Sequence, residues 1–180
     1  MPQSNIDSIL KKMKPDEAFQ FYKKFICNSE KLKLLEKQGF HKTGSVPSTD
    51  WELFASILVN EKASEGYGAD LENFEVKSAK IGSSFEYQYH KFTGEEKLKE
   101  DMVVNHLFIS YSEKYDEVCV RVLLPNQVRE TFKKWETALK ENYSEGSTKQ
   151  RFRKSIPYGF VRDNAKIVFH ILNGKVQKIT

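Results

Sequence analysis

Residues 68–80 read Gly68-Ala69-Asp70-Leu71-Glu72-Asn73-Phe74-Glu75-Val76-Lys77-Ser78-Ala79-Lys80, and the rest of the chain is arranged around them. From Phe74 to Ser78 apolar and polar residues alternate, the period of a half-buried strand. Glu75, Lys77 and Ala79 then share one face, and Phe74 and Val76 point to the other. If Glu72-Asn73 is a two-residue hairpin loop, Leu71 pairs with Phe74 and Asp70 pairs with Glu75; Asn73 tolerates the positive φ such a loop needs. Directly opposed residues have Cβ atoms about 4.5–5.5 Å apart. Two carboxylates that close repel each other unless positive charge lies between them, and a divalent cation with hard oxygen ligands meets that need. Lys77, one pleat from Glu75, completes a site of two acids and one amine. A Glu-x-Lys tripeptide by itself reads as a surface ion pair of little worth. Asp70 opposite it, the Gly68 approach and the segment that follows favour the site.

The preceding segment, Ser48-Thr49-Asp50-Trp51-Glu52, predicts a helix over 49–62. Thr49 and Glu52 make a capping box, and Asp50 suits the positive end of the helix dipole. Trp51, Phe54, Ala55 and Leu58 form an apolar stripe. Glu61 falls on the same stripe, where a carboxylate without a partner is costly. It is either a third acid approaching Asp70 and Glu75 or an end-of-helix side chain reaching solvent. Glu52 reads as a cap, and Glu65 as a weaker ligand candidate. After the strand, Lys80, Ser83, Ser84, Gln88, His90 and Lys91 are all able to bond to phosphates or base edges; the same segment also reads as an aromatic strand with a polar outer face. His90 has no second ligand at metal-binding spacing.

Asp70…Glu75-Val76-Lys77 resembles the PD-(D/E)xK nuclease motif, and Glu75-Val76-Lys77-Ser78-Ala79-Lys80 resembles it as type II restriction endonucleases carry it. Ala69 stands where the motif has Pro, and the five-residue step from Asp70 to Glu75 is short for the family. The resemblance implies the restriction-endonuclease-like α/β fold, a central mixed β-sheet flanked by helices. It implies catalysis by Asp70, Glu75, Lys77 and Glu61. Mg²⁺, with Mn²⁺ as a substitute, would be held by Asp70, Glu75, the Val76 carbonyl and Glu61. Lys77 would position or deprotonate the attacking water, its pKa lowered if it is desolvated near the metal. The segment past the strand would run along double-stranded DNA. Cutting both strands of a palindrome with one site per chain calls for a homodimer. A nicking, repair or recombination nuclease, a subunit of a heteromeric nuclease and a non-catalytic DNA-binding protein remain alternatives.

The 180 residues suffice for one domain, with an N-terminal helical part over about 1–46 and a catalytic core over about 47–180. Net charge is +4, a mild basic excess that permits nucleic acid binding without requiring it. Cys27 and Cys119 sit in apolar contexts and read as buried thiols of a reducing compartment. No apolar run reaches about 18 residues and no signal-peptide pattern is present, so a cytoplasmic, membrane-free protein is expected.

Outside the motif, helices are expected at about 1–14, from Pro15, and over about 29–37 ending at Gly39. His41 to Pro47 reads as a loop. Gly94 to Asp101 reads as a charged connector, either loop or short helix. His106–Ser112 and Glu117–Leu124 read as core strands. Val128, Phe132, Trp135, Leu139 and Tyr143 mark the core face of a helix over 127–142. Lys149-Gln150-Arg151-Phe152-Arg153-Lys154 reads as a basic loop in which Arg151, Arg153 and Lys154 contact the DNA backbone. Tyr158 to Val161 reads as a short strand. Asn173-Gly174 predicts a type I′ hairpin between 166–172 and 175–179.

Overall fold

A computed structural model describes residues 6–40, 43–66 and 68–177. The chain opens with helices α1 (Ile6–Lys12) and α2 (Pro15–Phe21), the latter running on through a wider π turn over Tyr22–Ile26. Helix α3 (Ser29–Lys37) follows and ends before Gly39, whose φ of 78° reverses the chain. The loop expected over His41–Pro47 begins outside the described residues. Its later part is tied down, because the Tyr115 hydroxyl donates to the Gly44 carbonyl at 3.0 Å.

Helix α4 spans Ser48–Val59, not 49–62. Its N-cap is Pro47 and no side chain caps it, so Thr49 lies inside the first turn and the expected capping box does not form. Asn60, in the left-handed conformation at φ 57°, stops the helix three residues before its predicted end.

The central sheet has the order β1 (Phe74–Lys80), β3 (Asn105–Tyr111), β4 (Val118–Leu123), β6 (Lys166–Leu172), β7 (Lys175–Val176). β1 and β3 are parallel and the remaining pairs antiparallel, so the sheet is mixed. The Asn173-Gly174 turn has positive φ at both positions, as type I′ requires. Residues 178–179 of the expected last strand lie outside the described residues.

Side chains alternate across this sheet. Phe74, Val76, Leu107, Ile109, Val118, Val120 and Val122 pack with Trp51, Phe54 and Leu58 of α4 and with Ile9, Ala18 and Tyr22. Phe108, Ala79 and Leu123 face a second core. That core holds Val128, Phe132, Trp135 and Leu139 of helix α6 (Pro125–Asn142), together with a two-stranded ribbon. The ribbon pairs β2 (Phe85–His90) antiparallel with β5 (Arg151–Ile156) and buries Phe85, Tyr87, Tyr89, Phe152 and Ile156. The architecture is therefore α/β, with helices on one face of a mixed sheet and a ribbon plus helices on the other.

Two elements differ from the sequence reading. The basic run over 149–154 continues into strand β5 instead of forming a loop, because Phe152 and Ile156, four residues apart, both have a buried face to fill. Tyr158–Asn164 forms helix α7, not a strand; Pro157 precedes it, and the Val161 N–H returns to the Pro157 carbonyl at 3.3 Å. The charged connector resolves to helix α5 (Gly94–Asp101), which buries Gly94, Leu98 and Asp101. A Cβ at Gly94 would lie 2.8 Å from Tyr89 Cβ and 3.0 Å from its backbone carbonyl carbon. Only glycine lets α5 start this close to β2. Among the described residues no helix is long and apolar enough to cross a membrane.

Candidate active site

β1 lies at the edge of the central sheet, with β3 on one side only. An edge strand leaves backbone groups to be satisfied from elsewhere. Asp70 does this for Val76, whose N–H donates to Asp70 Oδ2 at 2.8 Å. The turn that carries Asp70 is closed by the Leu71 N–H on the Phe74 carbonyl at 2.9 Å. Asp70 is thus brought to β1 as expected, though not as a strand residue. Leu71 bridges to Ala63, and Asp70 meets the strand through its side chain. The N–H and C=O of a strand residue point to the same side. The Val76 carbonyl therefore faces the same open edge as Asp70.

Glu75 is completely buried. It shares its face of β1 with Lys77, and both project toward the ribbon core. Lys77 Nζ donates to Glu75 Oε1 and lies 5.0 Å from the centroid of the Tyr87 ring. The other carboxylate oxygen, Oε2, accepts a 3.0 Å bond from Lys97 Nζ of α5. Lys97 also donates to the Gly68 carbonyl at 3.0 Å and lies 3.9 Å from Asp101 Oδ1. Burial alone would raise the Glu75 pKa, but Lys77 and Lys97 outweigh it and hold the carboxyl below its ordinary value. Burial and the Glu75 charge push Asp70 up.

Without a metal, Lys77 is held charged. Desolvation would lower its pKa, yet Glu75 and Asp70 reverse the effect and the ammonium is held above its ordinary value. In this state Lys77 is a fixed cation and not a poised base.

Glu61 also lies elsewhere. Beyond the left-handed Asn60, its carboxylate turns to the loop, where Oε2 accepts the Asn73 N–H at 3.1 Å and Oε1 the Asn73 amide at 3.2 Å. Glu61 is therefore a brace for the Asp70 turn. Its place near the acids is taken by Glu52, one turn after the start of α4. Glu52 lines a cleft of about 170 Å³ with Ser48, Trp51, Asp70, Val76, Lys77 and Ser78. Burial first, then the charge of Asp70, raises the Glu52 pKa. Glu65 is exposed on the loop after α4.

A second tier lies behind Glu75. Asp101 is fully buried; the Tyr89 hydroxyl donates to its Oδ2 at 2.8 Å, and its Oδ1 has no hydrogen-bond partner among the described residues. His106, opposite Glu75 in the β1–β3 register, places Nε2 2.7 Å from the Asp101 carbonyl. A carbonyl only accepts, so Nε2 carries the proton and Nδ1 accepts from the Tyr87 hydroxyl at 2.8 Å. Burial pushes Asp101 up to about 7 and His106 down to about 4. Lys97, Asp101 and His106 escaped the sequence reading. The spacing 94/98/101 does mark one buried helical face, but charged neighbours hide it.

The DNA-contact candidates divide. Gln88 and His90 of β2 stand opposite Arg153 and Arg151 of β5, so these four share the outer, solvent-facing side of the ribbon. Lys154 is opposite Tyr87 on the inner side but remains exposed. Ser83 and Ser84 sit at the exposed turn between β1 and β2. Lys91 Nζ is committed to the Ser147 carbonyl at 3.1 Å, and Lys80 pairs with Glu113 at 3.3 Å.

The donor chemistry fits a hard divalent cation only as a two-carboxylate site. Among the described residues no group of three or more acidic, histidine or cysteine side chains is placed to hold a metal ion. Mg²⁺ is ordinarily bound through one or two carboxylates plus water and substrate phosphate. Asp70 and Glu75 are hard donors whose mutual repulsion such a cation would relieve. No protein-family model matches the chain, and no curated protein is significantly similar to it.

Proposed function

We propose that the protein is a Mg²⁺-dependent nuclease of the PD-(D/E)xK superfamily, with the restriction-endonuclease-like fold, acting on double-stranded DNA as a type II restriction endonuclease. One observation carries the reading. Asp70 and Lys77 line one cleft at the open edge of β1, and the buried Glu75 lies behind it, bonded to Lys77. Surface Glu–Lys pairs are common, but a fully buried Glu75 beside a second acid is costly to keep without use.

In this reading Asp70, Glu75 and the Val76 carbonyl hold the cation, and Glu52 adds negative charge to the mouth of the cleft. Bound Mg²⁺ would supply Lewis-acid stabilisation of the phosphorane-like oxygens and acidify a water. Lys77, held charged, orients that water and offsets developing negative charge. Gln88, His90, Arg151 and Arg153 lie on a ribbon whose width suits a DNA groove. Two copies of the chain would cut the two strands of a palindrome.

The test is incubation with plasmid and unmethylated phage DNA in Mg²⁺ or EDTA, beside Glu75→Ala. Discrete fragments that vanish with EDTA and with the variant are expected. Nicks or smears that need both Mg²⁺ and Glu75 would move the assignment to a nicking or repair nuclease. A gel shift without cleavage would replace it with a non-catalytic DNA-binding protein.

A further inference from the structure

We propose that Lys97 is a positioning residue that changes partner when a divalent cation binds. Its ammonium holds Glu75 in the cation-free state and moves to the buried Asp101 when Glu75 turns to the cation. The inference rests on the reading of Asp70 and Glu75 as cation ligands and adds a residue that the sequence motif does not contain.

Each oxygen of the Glu75 carboxylate is already taken, Oε1 by Lys77 and Oε2 by Lys97. An ammonium at 3.0 Å on Glu75 disfavours a cation on the same carboxylate, because the two positive charges repel. Departure of one lysine relieves that repulsion. Lys77 remains on the face of the Tyr87 ring, and among the described residues Glu75 is the only carboxylate within 4.0 Å of its Nζ. Lys97 has a second. Asp101 Oδ1 lies 3.9 Å from its Nζ, is buried and accepts no hydrogen bond among the described residues. The other oxygen, Oδ2, is occupied by the Tyr89 hydroxyl at 2.8 Å. A buried carboxylate oxygen left unpaired is an unfavourable resting arrangement, so an acceptor is kept ready.

Lys97 and Asp101 are four residues apart on one helix, where side chains are neighbours without any backbone change. Rotation about the lysine side chain is enough. Lys97–Glu75 gives way to a closer Lys97–Asp101 pair as Glu75 takes the cation. The exchange keeps Glu75 aligned before the cation arrives and gives the buried Asp101 Oδ1 a partner afterwards. Gly94 serves the same end by letting α5 approach β2 closely enough to deliver Lys97.

The test is a double-mutant cycle on Mn²⁺ binding to the full chain without DNA, read by titration calorimetry. Lys97→Gln should tighten Mn²⁺ binding, because the competing ammonium is gone. Asp101→Asn keeps an oxygen for Tyr89 but removes the charged acceptor, and should weaken binding about tenfold. In the Lys97→Gln background the same change should weaken it less than about twofold. Equal weakening in both backgrounds would overturn the proposal, since Asp101 would then act only as a distant charge. Weaker binding by Lys97→Gln would also overturn it. Wild-type chain that binds no Mn²⁺ overturns the nuclease reading and the exchange together, whereas wild-type binding with additive variants overturns the exchange alone. If a variant fails to fold, a crystal structure of the wild type with Mn²⁺ decides. Lys97 Nζ within about 3 Å of Asp101 Oδ1 supports the exchange, and Lys97 still on Glu75 overturns it.

Discussion

Replacing Asp70 with Asn should stabilise the cation-free protein and abolish its response to Mg²⁺. Asp70 accepts the Val76 N–H at 2.8 Å, and the asparagine oxygen can keep that bond. The substitution removes a negative charge that burial and Glu75 disfavour, the same two causes that hold the Asp70 pKa above 3.8. A carboxyl whose folded pKa is raised contributes stability that is fully present below its unfolded pKa and lost as pH rises through the folded one. At pH 8 the wild type therefore bears the penalty and the variant does not. Relief of strained charge at a functional site is worth about 0.5–2 kcal/mol. For a chain of this size that corresponds to a rise of about 1–8 °C in Tm. Mg²⁺ at ten times Kd returns about 1.4 kcal/mol to the wild type by mass action and nothing to the variant, so the gap narrows or reverses. Thermal unfolding followed by circular dichroism at pH 8, with and without Mg²⁺, reads both effects. A fall in Tm of the cation-free variant would refute the reasoning, because the Asp70 charge would then be a net gain through Lys77 and Lys97. Equal stabilisation of variant and wild type by Mg²⁺ would remove Asp70 from the cation site.

Glu61→Ala should cost about 1 kcal/mol through loss of the Asn73 bonds, yet leave the Mg²⁺-induced Tm shift intact; a lost Mg²⁺ response would return Glu61 to the ligand set. Arg151→Ala with Arg153→Ala should flatten the slope of log affinity for DNA against log salt by about 1.8, measured by fluorescence anisotropy in EDTA. An unchanged slope would take the ribbon off the phosphates. Asp101, raised to about 7, gives stability that is complete below about 4 and lost by about 7, whereas His106, lowered to about 4, gives stability that is complete above 6.5 and lost toward 4. Between these limits the two slopes cancel. His106→Gln should expose the Asp101 term, lowering the slope of unfolding free energy against pH by about 1.4 kcal/mol per unit relative to wild type. Urea unfolding at pH 4.5 and 6 checks this, and equal slopes would mean that His106 titrates normally.

Local periodicity made much of the architecture legible. The strict alternation from Phe74 to Ser78 assigned faces correctly, with Phe74 and Val76 on the α4 side and Glu75, Lys77 and Ala79 on the ribbon side. Asn173-Gly174 specified its turn through backbone conformation alone. The amphipathic spacing from Val128 to Leu139 specified α6. Misreadings arose where tertiary contacts outweighed local pattern. Arg151–Ile156 is half charged and mostly exposed, but Phe152 and Ile156 had partners waiting on β2. Tyr158–Val161 carries strand-forming residues but follows a proline that sets a helix start. Glu61 turns to Asn73 instead of the acids because one left-handed residue, Asn60, ended α4 early.

The sequence by itself determined the faces of β1, and with them the placing of Glu75 beside Lys77, since residues two apart on a strand must share a side. It also brought Asp70 within a short turn of that strand. Tertiary structure alone decided that β1 is an edge, which frees the Val76 N–H for the Asp70 carboxylate. It alone brought Glu52 from α4 and Lys97 and Asp101 from α5 to the same place. Those residues lie more than fifteen positions from Glu75. No periodicity reaches so far; their meeting depends on which faces of the sheet the helices cover.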